Sequence, residues 1–143
     1  MSLTLDHQEI MATLARYSTA LDQRDWALLD QVFTEDLVYD AGEWITRSRS
    51  EYLDRLRPYL EGCGPTQHLL GNYRIEIDGD EARSAVYVRA FHVGTRELSE
   101  TTYEMFGEYR DELVRSNEGW RSRHRSLRLL LEQGSRAVLR PAS

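Results

Sequence analysis

The stretch YSTALDQRDWALLDQVFTEDLVYD, residues 17–40, closes one apolar stripe, opens a second and runs on into a strand, leaving a carboxylate, Asp22, at the first junction. Upstream, Ile10, Leu14, Tyr17 and Leu21 recur at i, i+4, i+7 and i+11, the spacing of one helix face. Asp6 and Glu9 frame the start of that helix like a capping box. Downstream, Asp25 is placed to cap a shorter helix that buries Trp26, Leu29 and Phe33, so Gln23 and Arg24 form a tight corner between the two helices. From Leu37 to Trp44 the composition turns to strand, with Gly42 permitting a bend.

A third helix is announced by Ser48 and Glu51, a capping-box pair, and by the apolar residues Tyr52, Leu53, Leu56 and Leu60, with Pro58 disturbing its last turn. EGCGP, residues 61–65, ends it. From Thr66 the period changes to two, with Leu69, Tyr73, Ile75 and Ile77 in a strand interrupted at Gly71. DGD at 78–80 and SNEG at 116–119 are turns between strands expected near 83–93, 101–114 and 120–131. Three helices around one short strand, then an antiparallel meander without crossover helices, is an α+β order. The 143 residues form one domain, with the tail at about 134–143 loosely held.

Composition excludes several functions. A net charge of −6 argues against general affinity for nucleic acid or anionic membrane. All 18 basic residues are arginine, which removes lysine Schiff-base chemistry. The single cysteine, Cys63, can form no internal disulfide and has no second thiolate to share a metal, which fits a reducing compartment. With no secretory leader and no apolar run near the ~20 residues of a membrane span, a soluble, cytoplasmic protein is expected.

His7, His68, His92 and His124 form no H-x-H or H-E-x-x-H pattern, and the GxSxG, Walker and GxGxxG motifs are absent, so neither a metal nor an organic cofactor is expected. Arg121, Arg123 and Arg125 alternate along the last strand, the pattern of a solvated sheet face or an oligomer contact. Asp22 and His68 have two readings: a turn cap and a half-buried strand histidine, or a paired acid and base.

The run at 17–36 resembles the opening of SnoaL-like proteins of the nuclear transport factor 2-like superfamily. QHLLGNYRIEIDGDEARSAVYV at 67–88 resembles a later part of the same group, and GEYRDELVRSNEGWRSRHRSL at 107–127 its closing hairpin. The resemblance implies a cone: a curved, mixed but mainly antiparallel sheet wrapped around three helices, with a pocket at one end. Members include scytalone dehydratase, bile acid dehydratases, steroid isomerases and polyketide cyclases, and a shared fold does not fix the reaction.

By that resemblance Asp22 and His68 are the acid–base dyad, with Tyr17, Tyr39 and His92 supplying hydrogen bonds. Trp26, Trp44, Leu69, Phe91, Met105 and Trp120 are expected as apolar pocket walls. The chain departs from scytalone dehydratase at Leu21, Ala41, Phe106 and Gly107, so a different substrate is implied. The expected function is dehydration, isomerisation or cyclisation of a small apolar, aromatic or polycyclic compound by a homodimer formed through the outer sheet face. The alternatives are a small-ligand-binding module or a noncatalytic subunit beside a large oxygenase subunit, since the closing hairpin also resembles the small subunits of ring-hydroxylating dioxygenases.

Overall fold

Ile10, Leu14, Tyr17 and Leu21 are at most 2% exposed, and they form the buried face of helix α1 (Leu3–Gln23) in a computed structural model that describes residues 2–140. Ser2, not Asp6, caps this helix, its hydroxyl accepting from the Leu5 N–H at 3.2 Å. Asp6 is instead buried, and its carboxylate receives two hydrogen bonds from Arg115 at 2.6 and 2.9 Å and one from Trp120 Nε1 at 3.2 Å. A carboxylate tied to Arg115 and Trp120 in this way fixes the helix against the sheet and is engaged away from the capping position.

Arg24 ends α1 in a left-handed conformation, φ 54°, and turns the chain into a 3-10 helix, Trp26–Gln31. Asp25 precedes it but makes no side-chain cap, and Phe33 belongs to the next strand, β1 (Phe33–Asp40). Gly42, at φ +84°, then reverses the chain into β2 (Ile45–Thr46), a conformation that side-chain-bearing residues resist. Helix α2 (Arg49–Glu61) starts with Ser48 Oγ accepting from the Glu51 N–H at 3.0 Å, while Glu51 accepts from the Arg47 N–H rather than from that of Ser48.

The long strands are β3 (Thr66–Asp78), β4 (Glu81–Val93), β5 (Thr102–Ser116) and β6 (Gly119–Gly134), longer by a few residues than composition suggested. They form an antiparallel meander inside one six-stranded sheet of order β2-β1-β6-β5-β4-β3. Strand β1 pairs parallel to β6, which makes the sheet mixed. Register shifts at Gly71/Arg74, Phe106/Gly107 and Glu112/Leu113 bend the long strands, and the curved sheet holds the helices on its concave face.

Two further expectations are corrected. The tail is packed as far as a 3-10 turn at Arg136–Leu139, where Val138 is buried and its carbonyl accepts from Cys63 Sγ at 3.0 Å; residues 141–143 lie outside the described residues. Arg125 is not on a solvated face: the register shift at Glu112/Leu113 leaves Arg123 as an extra residue of β6 and reverses the alternation, so Arg125 follows Trp120 and Ser122 to the buried side, where its charge is paired with buried Asp111 at 2.9 Å. Leu69, Tyr87 and Phe91 are exposed on the outer sheet face. No helix among the described residues is long and apolar enough to cross a membrane.

Candidate functional site

A cavity of about 380 Å³ lies between α1, α2 and the concave face of the sheet. Its deep walls are the buried rings of Tyr17, Tyr39, Tyr52 and Tyr109 with Leu21 and Leu60; its outer walls include Tyr59, Arg55, Glu43 and Arg136. The volume suits a small, drug-sized ligand.

His68 and His92 enter from β3 and β4, where alternate residues face inward. Asp22, on the last turn of α1, stands behind His68. Its Oδ1 meets His68 Nδ1 at 2.7 Å and its Oδ2 accepts from the His68 backbone N–H at 2.9 Å. Thr66 Oγ1 adds a third hydrogen bond at 3.0 Å. Burial acts to raise the Asp22 pKa, but the donors from His68 and Thr66 outweigh it and hold the carboxyl below its ordinary value. An ionised Asp22 therefore accepts from Nδ1–H and leaves Nε2 as the free, basic nitrogen of His68.

Arg24 supports this pair from the corner between the helices. It donates to the carbonyls of Leu21 at 2.7 Å, Leu60 at 3.0 Å and Gly64 at 2.7 Å, and to Thr66 Oγ1 at 2.8 Å. One guanidinium thus joins the ends of α1 and α2 to the start of β3 and orients the hydroxyl that meets Asp22.

The His92 ring stands edge-on to that of His68, with 5.6 Å between centroids. Its Nδ1 lies 3.1 Å from the Tyr103 carbonyl, which can only accept, so this nitrogen carries the hydrogen. Burial first, and the charge of a protonated His68 second, lower its pKa from 6.5 to about 4. At neutral pH His92 offers an acceptor, Nε2, and is not an acid.

Opposite the base lies a tyrosine cluster. Tyr17 and Tyr52 share a 2.5 Å hydroxyl contact, and Tyr39 stacks on Tyr52 at 4.2 Å between centroids. Beneath them the Arg125 guanidinium lies 4.3 Å from the Tyr17 ring and 4.2 Å from that of Tyr109. Burial pushes all four hydroxyls above their ordinary range, while the Arg125 charge pulls those of Tyr17, Tyr39 and Tyr109 back. They remain neutral donors across the physiological range.

Tyr17, Tyr39, His68, His92, Trp44 and Met105 therefore line the cavity, and Asp22 backs it. The other expected walls lie elsewhere. Trp26 is covered on the 3-10 helix with Nε1 donating to Glu61 at 3.1 Å, and Trp120 is buried beside Asp6. Leu69 and Phe91 directly follow or precede an inward histidine, so strand alternation turns both outward. Unforeseen at the site are Tyr52, Tyr103, Tyr109 and Arg55. Tyr52, Leu56, Tyr59 and Leu60 share one face of α2, and Met105 and Tyr109 share one face of β5, the periodic signals that pointed to them. Among the described residues no group of three or more His, Cys, Asp or Glu side chains is arranged to hold a metal ion.

Residues 3–126 match the sequence profile of the SnoaL-like domain. The chain belongs to the SnoaL-like domain family. An uncharacterized protein of Mycobacterium tuberculosis is 33% identical to this SnoaL-like domain over 118 residues, covering 81% of this chain and 80% of that protein. Among solved structures, an NTF2-like protein with a cystatin-like fold from Novosphingobium aromaticivorans is 26% identical, covers 95% of this chain and 88% of that chain, and superposes with a TM-score of 0.74. A candidate scytalone dehydratase from the same organism is 24% identical, covers 98% of this chain and 95% of that chain, and has a TM-score of 0.83. These likenesses agree with the expected NTF2-like fold.

Proposed function

We propose that this SnoaL-like domain is a lyase or isomerase that works by acid–base chemistry on a small apolar carbonyl or hydroxyl compound, with an aromatic or polycyclic body. Its strongest support is the 2.7 Å Asp22–His68 contact at the wall of a mainly apolar, aromatic cavity. The resemblance to a candidate scytalone dehydratase is a second support.

In a dehydration, Nε2 of His68 takes the proton from the carbon next to the carbonyl. Asp22 stabilises the imidazolium, and the electron pair moves to the carbonyl oxygen as an enolate. A hydroxyl of the Tyr17–Tyr52 pair donates to that oxygen. Collapse of the enolate expels the β-hydroxyl group, which recovers the same proton from His68 and leaves as water. His92, neutral with Nε2 free, accepts from the departing hydroxyl and orients it. Return of the proton to a different carbon, without loss of water, is isomerisation by the same groups.

The test is ultraviolet detection of 1-naphthol formed from 3-hydroxy-1-tetralone. Wild type should accelerate it over buffer, and His68→Gln should abolish the acceleration. Equal rates for wild type and His68→Gln would contradict the proposal.

The outer face supports a second copy as partner. Leu69, Tyr87 and Phe91 are 41–55% exposed there, and burying them would remove an apolar patch from water. Light scattering should give a homodimer; a monomer at micromolar concentration would contradict it.

A further inference from the structure

We propose that Arg55 anchors an anionic group on the ligand, so that the cavity takes an aromatic acid whose carboxylate sits at the mouth while a carbonyl or hydroxyl oxygen reaches the tyrosines at depth. This rests on the reading of the cavity as a substrate site.

The rings of Tyr52, Tyr39 and Trp44 form a compact cluster of nearly parallel planes, with 4.2 Å between Tyr52 and Tyr39, 5.6 Å between Tyr39 and Trp44 and 6.4 Å between Trp44 and Tyr52. Its deep side is the buried Tyr52, whose hydroxyl meets that of Tyr17. On its outer side the Arg55 guanidinium lies 4.5 Å above the partly buried Trp44 ring. All of these residues line the same cavity. A flat apolar body lying against this cluster has the hydroxyl pair on the Tyr52 side and the cation on the Trp44 side.

The charge balance at the mouth leaves Arg55 available. Arg136 is bonded to Glu132 and has Glu43 at 3.9 Å. Arg55 has no ion-pair or hydrogen-bond partner among the described residues, although it is one of only two arginines lining the cavity. Stacking occupies one flat face of a guanidinium and leaves its N–H edge free, the edge that binds a carboxylate through two parallel hydrogen bonds. Stacking on Trp44 also restricts the Arg55 side chain before a ligand arrives, which lowers the entropy lost on binding. Arg55 follows Tyr52 by three residues on α2, so a single helix presents both the deep hydroxyl and the outer cation.

The test is calorimetric titration with 2-naphthoate and with 2-acetylnaphthalene, a neutral ketone of nearly the same shape. Wild type should bind the acid about tenfold more tightly than the ketone at low ionic strength, with the difference shrinking as salt is added. Arg55→Gln should erase that difference and leave the ketone affinity unchanged, which also shows that the variant is folded. Equal affinities in wild type, or an undiminished preference in Arg55→Gln, would overturn the anionic anchor while leaving the acid–base reading standing. Binding of neither compound would overturn both. His68→Gln should keep the preference for the acid, because the anchor does not depend on the base.

Discussion

Asp22 holds His68 at two points, the ring Nδ1 at 2.7 Å and the backbone N–H at 2.9 Å, so one carboxylate sets both the tautomer of the imidazole and the position of the strand that carries it. This couples the end of α1 to the start of β3, and the coupling depends on groups that never touch the cavity.

Arg24 is the first of these. Arg24→Met removes donors to three carbonyls and to Thr66 Oγ1. The expected loss is about 2–3 kcal/mol of unfolding free energy, the range for hydrogen bonds to a charged group after partial replacement by water. Urea denaturation measures it. Turnover should fall as well, through a loosened Thr66–Asp22–His68 chain; a variant as stable and as active as wild type would remove Arg24 from the site's support.

His92 makes a pH prediction. Its folded-state pKa is lowered by burial from 6.5 to about 4, so between these values the unfolded chain takes up a proton that the folded chain refuses. Its contribution to stability therefore falls as pH drops from 6.5 to 4 and levels off below. Nitrogen-15 NMR should show a neutral ring protonated on Nδ1 at pH 6, and His92→Gln should flatten the stability profile in that window. A charged His92 at pH 6 would refute the assignment.

The Arg125–Asp111 pair separates two kinds of cost. Both residues are buried, and Arg125 Nη1 and Nη2 have no hydrogen-bond partner among the described residues; the guanidinium lies against the Tyr17 and Tyr109 rings. Arg125→Met leaves Asp111 as a lone buried charge and should cost roughly 3–5 kcal/mol, whereas Arg125→Met with Asp111→Leu should recover most of it. Thermal and chemical denaturation of the single and double variants decide this. A double variant as unstable as the single would show that the guanidinium, and not the abandoned carboxylate, dominates.

Asp6 carries the acid limit of stability. Arg115 lowers its pKa from 3.8 to about 2. Because the folded value is the lower one, the stabilisation is complete above pH 3.8 and is lost as pH falls towards 2. Asp6→Asn should therefore be less stable than wild type at pH 7, with the gap closing between pH 4 and 2. A gap that stays constant through that range would contradict the ion pair.

Most of the helical and strand order was legible because Ile10, Leu14, Tyr17 and Leu21 repeat at helical spacing and the chain after Thr66 alternates. The parallel pairing of β1 with β6 was not legible, since it joins segments more than eighty residues apart and leaves no local pattern. Asp6 looked like a cap and Arg125 like a surface charge for the same reason: their partners, Arg115 and Asp111, are set by tertiary packing. Alternation next to His68 and His92 already implied that Leu69 and Phe91 face outward; assigning both neighbours to one pocket overlooked the pleat. Tyr52 was legible as a core residue of α2, but its hydroxyl contact with Tyr17 required the helices to be placed.

The most direct test of the central claim needs no knowledge of the natural substrate. In heavy water, NMR follows replacement of the C2 protons of 1-tetralone by deuterium, the proton-abstraction step alone. Wild type should exchange them faster than buffer, with His68→Gln at the buffer rate and Asp22→Asn slower than wild type by roughly 10²–10⁴-fold, or down to the buffer rate if that is reached first. Exchange by wild type no faster than buffer, or undiminished in His68→Gln, would contradict the assignment of His68 as the base held by Asp22.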